Sequence, residues 1–232
     1  MAASLPHVVH RFSKSAQALK NLLSHSRAAT IPFNSGIGDA GYLLYGLTRS
    51  IKPEVCVEIG SARGKSACYI GMALRENGRG KLFAIDPHQR TNWNDSDSVD
   101  TFEIMKKNLR RLRLTDQVEI IRKTSYAAAQ VWSRQIDMIF VDGDHSYEGV
   151  KRDWELYVPA VGKFGVVIFH DTIWDLQPDP KWSRPDIGVP RFVDELRQQG
   201  YPVLTINKDY GVSMVQPVKG GISLMTIDLG DR

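Results

Sequence analysis

The chain has 232 residues, of which 42% are hydrophobic and 24% are charged, so it can bury a globular core and is neither disordered nor fibrous. It contains no apolar run near the roughly 20 residues that cross a bilayer, which argues against a membrane-spanning protein. The formal net charge is +4, but the first 38 residues hold four basic residues and no acidic one. Taking those four from the 30 Lys and Arg leaves 26 to balance the 26 Asp and Glu, so we expect no nucleic-acid partner.

Residues 1–50 are predicted to form a helical arm, and residues 51–232 the main domain. In the arm, Leu19, Leu22 and Leu23 recur at helical spacing, which favours an amphipathic helix that covers the domain or joins a second subunit. We therefore expect a homodimer or a higher homo-oligomer. The Ser-rich, acid-free composition is also typical of an organellar transit peptide, and a nucleic-acid or membrane arm is a third alternative. Two cysteines are too few for a disulfide framework, which favours a cytoplasmic protein.

From residue 55 onward, short apolar runs alternate with helical patterns. The runs are continuously apolar, which indicates strands buried on both faces of a parallel sheet. The alternation predicts an α/β fold with a doubly wound, seven-stranded, mostly parallel Rossmann-like sheet. Its last strand follows a short polar turn and is therefore predicted to be antiparallel. The predicted strands are 55–59, 81–85, 118–121, 137–141, 166–169, 203–206 and 211–215, and the predicted helices are 66–76, 102–112, 125–132, 147–157 and 191–199.

Two long polar segments, 87–100 and 172–188, follow the carboxyl ends of predicted strands and interrupt this alternation. Ligands bind at that edge of such sheets, and long loops in compact domains often serve as binding loops or lids. Trp93, Trp174 and Trp182 lie in these segments, where each could contact a ligand or cover a local patch of core.

The first motif joins the first predicted strand to the following helix and includes Glu58, Gly60 and Gly64. A glycine turn here lets backbone amides approach a ligand at a helix N-terminus. The ending Gly64-Lys65-Ser66 suggests a phosphate loop, but that motif needs four residues between its glycines and this turn has three. Ala62 occupies the second glycine position of a dinucleotide-binding turn, so that motif does not fit either.

The second motif is Asp86, which closes the second predicted strand. A carboxylate at this place can accept hydrogen bonds from two ribose hydroxyls, although an Asp here could also simply cap the next segment. A phosphate-loop nucleoside triphosphatase has no comparable need for an acid at this position. Asp86 therefore favours a nucleoside ligand bound through its ribose.

The third motif is Asp142-Gly-Asp144-His145-Ser-Tyr-Glu-Gly-Val-Lys-Arg-Asp153, followed one strand later by His170-Asp171. An apolar strand that ends in Asp is also typical of the magnesium-binding strand of phosphate-loop nucleoside triphosphatases. Together with the acid and Gly-x-x-x-Gly of the first motif, the sequence from about 52 to 216 resembles family 24 of the class I S-adenosylmethionine-dependent methyltransferases. That family includes sugar and natural-product O-methyltransferases.

The resemblance implies metal-assisted O-methylation of a small hydroxylated molecule, a sugar or a natural product. Parallel neighbouring strands lie about 4.8 Å apart, so Asp142 and His170-Asp171 should converge at one edge and hold Mg²⁺ or another divalent cation. His145 is the candidate general base, and a helix-capping or core role is its alternative. Asp153 is expected to form a surface salt bridge. The residues implied to bind S-adenosylmethionine are Glu58, Gly60, Ser61, Gly64, Asp86, Ser125 and Asp142. A phosphate-loop nucleoside triphosphatase and a non-catalytic cofactor-binding module of the same fold are the alternatives.

Overall fold

The computed structural model describes residues 21–218 apart from 24, 32, 34, 36, 90–99, 177–183 and 185. Its centre is one seven-stranded sheet with the strand order β3-β2-β1-β4-β5-β7-β6. The predicted doubly wound α/β fold is therefore confirmed. The strands are β1 Val55–Ile59, β2 Lys81–Ile85, β3 Val118–Ile121, β4 Ile136–Val141, β5 Val161–His170, β6 Val203–Ile206 and β7 Val212–Val215.

The register of the sheet brings its motif residues to one edge. β1 pairs in parallel with both β2 and β4, and Ile59 lies opposite Ile85 and Val141. The residues that follow these three strands therefore leave the sheet at the same level. β7 is antiparallel to both β5 and β6, as its short connection predicted.

Helices cover both faces of the sheet. One core contains Leu44, Ile70 and Met105 from the first three helices, and the other contains Trp154 and Phe192 from the last two. Neighbouring strand residues point to opposite faces and feed the two cores alternately. Residues 21–23 and 25–29 are helical, and the helices that follow are α1 Ala40–Ile51, α2 Lys65–Asn77, α3 Thr101–Leu112, α4 Ser125–Ala129, α5 Tyr147–Tyr157 and α6 Val189–Gln198.

Two elements differ from their predicted bounds by more than about two residues. β5 begins at Val161 rather than at 166, because Val161 pairs with Ile136 of β4 before an irregularity in the register, while Lys163 and Phe164 remain exposed. An exposed half lacks the apolar run that marks the rest of the strand. α4 ends at Ala129 rather than at 132, and the chain continues in turns, with Val131 N donating to the Ala128 carbonyl. Ser146 caps α5, since its hydroxyl accepts from Gly149 N at 3.1 Å.

The segment before the sheet contributes to the core. Ala28, Ile31, Phe33 and Ile37 are buried with Leu44 of α1 in the core that also contains Cys68. The predicted boundary between arm and domain falls at the end of α1, and residues 1–20 lie outside the described residues. Within the described ranges, no helix combines the length and the apolar character that crossing a bilayer requires.

Candidate active site

A cavity of about 650 Å³ runs along the carboxyl ends of β1 to β5. Loops after all five strands line it, which is the binding edge expected for a sheet of this kind. Of the predicted site residues, Glu58, Ser61 and Gly64 are not among the residues that line it. The predicted residues that do line the cavity are Gly60, Asp86, Ser125, Asp142, His145, His170 and Asp171.

The glycine turn after β1 brings two strand ends together. Gly60 has φ +85°, and a Cβ at this position would lie 2.1 Å from the carbonyl oxygen of Asp142. Only glycine therefore lets the end of β1 approach the end of β4 so closely. Gly64 has φ +79°, and a Cβ there would lie 2.7 Å from Met105 Cγ. Gly64 thus serves the packing of α3 against the start of α2.

Asp86 ties the end of β2 to the glycine turn. Its Oδ2 accepts from the backbone amides of Ser61 at 2.9 Å and Ala62 at 2.8 Å, and its Oδ1 accepts from His88 N at 2.6 Å. Each carboxylate oxygen can accept more than one hydrogen bond. Asp86 can therefore accept ribose hydroxyls in the cavity while it holds the turn in place.

Glu58 supports the same turn from inside the protein. It is fully buried, and its Oε2 accepts from the Ser61 hydroxyl at 2.5 Å. Its Oε1 has no hydrogen-bond partner among the residues that the structure describes. Burial raises the pKa of Glu58 to about 7, against the opposing effect of the Ser61 and Ser66 hydroxyls. Glu58 and Ser61 thus lie behind the cavity wall.

Four polar side chains meet at the other end of the cavity. His170 Nδ1 lies 3.2 Å from Asp142 Oδ1 and 3.1 Å from Asp171 Oδ1. The second oxygen of Asp171 lies 3.3 Å from His145 Nδ1, so this carboxylate bridges the two imidazoles. Asp171 has φ +60°, a region that residues other than glycine seldom adopt and that is enriched at functional sites.

The charges of this cluster are strongly coupled. Burial disfavours the charged imidazole of His170, but Asp171 and Asp142 outweigh that effect and raise its pKa well above the usual value. A protonated His170 would neutralise one of the two carboxylates. His170 Nε2 is buried and has no hydrogen-bond partner in the described part of the chain.

The same cluster has the composition of a metal site. One ligand atom each from Asp142, His170 and Asp171 lies within 4.8 Å of the others. Two carboxylates suit Mg²⁺ or Mn²⁺, and the imidazole also admits transition metals. The donor set therefore fits a divalent cation.

At the β3 end of the cavity, Asp153 of α5 lies beside Ser125. The prediction that Asp153 forms a surface salt bridge was wrong, because the residue is only 2% exposed and lines the cavity. Burial raises its pKa to about 6, while a hydrogen bond with Ser125 lowers it. The Tyr157 hydroxyl donates to the Ser125 carbonyl at 2.8 Å and fixes the start of α4. Asp153 ends the third motif, and that position was the sequence signal that could have assigned it to the site.

The wall near His145 is aromatic and includes the segment before α1. The Trp174 ring stacks on Tyr210 with centroids 4.8 Å apart and lies 6.1 Å from the His145 ring. Ile37 also lines the cavity, and the Lys65 ammonium donates to its carbonyl oxygen. Lys65 had suggested a phosphate loop, but it holds this segment in place.

The sheet order, the reversed β7, the glycine turn and the carboxylate after β2 together define a class I S-adenosylmethionine-dependent methyltransferase. The chain belongs to family 24 of the methyltransferase domains, because the model of that family, described as "Methyltransferase domain", matches residues 57–172. The predicted family membership is thereby confirmed.

Solved structures share this fold. A methyltransferase from Podospora anserina, PaMTH1, bound to S-adenosylhomocysteine, is 14% identical with a TM-score of 0.65, covering 93% of this chain and 97% of that one. The O-methyltransferase TomG from Streptomyces achromogenes, involved in tomaymycin synthesis and in complex with S-adenosylmethionine, is 20% identical with a TM-score of 0.60. That match covers 87% of this chain and 88% of TomG.

Two curated relatives match part of the chain. An uncharacterized protein of Sinorhizobium fredii, y4gI, is 26% identical over 155 residues, which are 62% of this chain and 17% of the relative. An uncharacterized protein of Acanthamoeba polyphaga mimivirus is 29% identical over 133 residues, which are 55% of this chain and 53% of the relative. The matched stretch therefore spans about half of one relative and less than a fifth of the other.

Proposed function

We propose that this chain transfers the methyl group of S-adenosylmethionine to an oxygen atom of a small hydroxylated acceptor, a sugar or a natural product, with the help of a divalent cation. The observation that carries the proposal is the convergence of Asp142, His145, His170 and Asp171 at one end of a cavity whose other side contains Asp86. The first group can activate an acceptor oxygen, and Asp86 can hold a nucleoside.

The cavity suits the cofactor in several ways. Asp86 would accept hydrogen bonds from the ribose hydroxyls, and the glycine turn at Gly60 would flank the amino-acid end. S-adenosylmethionine supplies an already activated methyl group, so the protein mainly orients the reactants and removes a proton.

His145 is the candidate general base. With Asp171 accepting a hydrogen bond from Nδ1–H at 3.3 Å, the lone pair of the neutral imidazole is on Nε2. Asp171 would also stabilise the imidazolium that forms when Nε2 takes the proton of the acceptor hydroxyl. The Trp174 ring lies edge-on to the His145 ring, with the centroids 6.1 Å apart. His145 thus has the orientation and the charge partner that a base needs.

The oxygens of Asp142 and Asp171 and the imidazole of His170 would hold the cation. A bound divalent cation lowers the pKa of a coordinated hydroxyl, which suits an alcohol acceptor. Without metal, a protonated His170 would partly neutralise the same carboxylates.

The test measures binding and transfer separately. Isothermal titration calorimetry follows S-adenosylmethionine binding, and transfer of a labelled methyl group is followed across a panel of sugars and phenols, with Mg²⁺ or with EDTA. We expect His145→Ala and Asp142→Asn to lower transfer at least about 100-fold, while His145→Ala leaves cofactor binding within a few-fold. His25→Ala, outside the cavity, is the matched control.

Several outcomes contradict the proposal. Unchanged transfer in His145→Ala would contradict the assignment of His145 as the general base. Full activity in EDTA would contradict the proposed role of the divalent cation. Binding of ATP without binding of S-adenosylmethionine would favour a nucleoside triphosphatase. Cofactor binding without transfer to any acceptor of the panel would favour the non-catalytic module.

A further inference from the structure

The turn that carries His145 is held from outside by the residue that precedes α6. His145 lies ahead of α5, whose first intrahelical bond runs from Val150 N to the Ser146 carbonyl at 3.0 Å. The helix therefore does not itself fix the His145 backbone. The N–H of Gly188 donates to the His145 carbonyl at 2.8 Å. Gly188 thus contacts the main chain of the proposed base rather than its imidazole.

A side chain at position 188 would prevent this contact. A Cβ built on Gly188 would lie 2.0 Å from Tyr147 N and 2.3 Å from Tyr147 Cα. The φ of Gly188 is −105°, outside the left-handed region that favours glycine, so its backbone conformation is open to other residues. The close approach to the 145–147 turn is therefore what requires glycine here.

The start of α6 has little freedom to move away from this turn. Val189 and Pro190 are buried, and the Phe192 ring packs edge-on against Tyr147 with the centroids 6.1 Å apart. Protein interiors are close-packed, so a methyl group at position 188 would have to displace the turn or the helix. Ordinary contact between carbon atoms needs roughly 3.5 Å, so the displacement exceeds about 1 Å. Either movement breaks the hydrogen bond to the His145 carbonyl.

We propose that Gly188 is a positioning residue for the general base: its N–H holds the His145 carbonyl, and its lack of a side chain lets α6 pack close enough to keep the imidazole on Asp171. The inference rests on the proposed function in that it takes His145 to be the base. It assigns to the end of the 172–188 segment a role in supporting the base, in addition to the contact of Trp174 with the His145 ring.

The contact with Asp171 is the one that a shift of the backbone would weaken first. Asp171 Oδ2 lies 3.3 Å from His145 Nδ1, near the outer limit of a hydrogen bond. The hydrogen bond made by one ring nitrogen decides which nitrogen of a neutral imidazole carries the proton. If Nδ1 moves away from Asp171, the tautomer with its proton on Nε2 becomes populated. That tautomer cannot take the proton of an acceptor hydroxyl at Nε2.

The first experiment measures methyl transfer and cofactor binding by Gly188→Ala. We expect kcat to fall about 100-fold, the loss that a misplacement of about 1 Å can cause, while the acceptor KM and the cofactor Kd stay within about threefold. Gly188 does not line the cavity, so cofactor binding has no reason to change. The same substitution in the His145→Ala variant should cause no further loss, because a residue that acts through His145 then has nothing to position.

The second experiment needs no acceptor. Nitrogen-15 NMR of the imidazoles in the full chain reports which nitrogen of His145 carries the proton, and His145→Ala identifies the signals. We expect the Nδ1–H tautomer to predominate in wild type and to become the minor form in Gly188→Ala. A loss of overall stability alone would leave the tautomer of the folded molecules unchanged.

Two control variants isolate the backbone contact. Gly46→Ala adds a methyl group in α1, where a Cβ meets no described atom within 4 Å, and should leave kcat and the tautomer unchanged. Tyr147→Phe removes the hydrogen bond from the Tyr147 hydroxyl to Glu195 Oε2 at 2.6 Å, which also joins α5 to α6. It should keep kcat within about twofold, since one partly exposed hydrogen bond contributes little and the contact at Gly188 remains. Circular dichroism confirms that each variant is folded.

An unchanged tautomer or an unchanged kcat in folded Gly188→Ala would overturn the inference. So would a further loss when Gly188→Ala is added to His145→Ala. If Gly188→Ala does not fold, amide hydrogen exchange of wild type decides, because a Gly188 N–H bonded to His145 should exchange at least about 100-fold more slowly than a free amide. Free exchange would overturn the inference. Absence of transfer by wild type would instead contradict the proposed function, and the tautomer would still test the role of Gly188.

Discussion

Glu58 shows how one buried group can couple the fold to pH. It lies behind the glycine turn, completely buried, with Ser61 as a hydrogen-bond donor to one of its oxygens. In the unfolded chain its pKa is near the ordinary value of 4.5, and in the folded protein burial raises it to about 7. The folded state therefore binds this proton more tightly than the unfolded state does.

The consequence is a loss of stability with rising pH. The contribution of the protonated Glu58 is present in full below pH 4.5 and is lost as the pH rises to about 7, and it amounts to at most about 3 kcal/mol. We expect Glu58→Gln to match wild type near pH 5 and to be more stable by about 1–3 kcal/mol at pH 8. Urea unfolding across this range, with the exposed Glu54→Gln as control, tests the prediction. Parallel curves for wild type and Glu58→Gln would show that Glu58 is ionised in the folded protein.

The sequence could identify the polar residues of the site but not the environment of each one. Asp142 and His170-Asp171 were expected to converge because they end neighbouring strands, and the structure brings them within hydrogen-bond distance. Asp153 was misjudged because its burial depends on Ser125, which is far from it in sequence. The contact between Lys65 and Ile37 was missed for the same reason.

At the scale of elements, the site depends on how closely strand ends approach each other. β1 and β2 were predicted with their observed bounds because both of their faces are covered, so four of the five residues in each strand are apolar. The first half of β5 was missed because it carries the exposed Lys163 and Phe164 and so lacks a continuous apolar run. α1 was predicted only as part of an arm, since its buried face is defined by its packing on α2.

Substitution of Gly60 by Ala tests whether the close approach of β1 and β4 requires glycine. Gly60 and Gly200 have nearly the same φ, +85° and +87°, but an added Cβ has no neighbour within 4 Å at Gly200 and meets the Asp142 backbone at Gly60. Gly200→Ala should cost only the left-handed backbone penalty of about 1 kcal/mol. Gly60→Ala should cost more than about 3 kcal/mol and abolish cofactor binding, because it forces the two strand ends apart. Equal losses in urea unfolding would mean that the backbone conformation alone requires glycine at position 60.

At the scale of the whole molecule, charge and apolar surface are unevenly distributed. Arg11, Lys14, Lys20 and Arg27 supply the whole net charge of +4, while the rest of the chain is balanced. Among the described residues, Leu22, Leu23 and Tyr42 are exposed to 66%, 47% and 54%. Exposed apolar side chains that lie together are typical of protein–protein contacts, and Leu22 and Leu23 are adjacent in sequence. Their position favours an apolar contact through the segment before α1.

We propose that this surface joins two copies of the chain, so light scattering should give a mass about twice 26.1 kDa. A Leu22→Asp, Leu23→Asp double variant should be monomeric, because charges in a buried apolar contact are costly. Val131→Asp, at a position that is 71% exposed on the face covered by α4, should leave the mass unchanged. The dimer should persist in 1 M salt, since an apolar contact is not screened as ion pairs are. A monomeric mass for the full chain would contradict the proposal, and dissociation by salt alone would assign the contact to the basic residues instead.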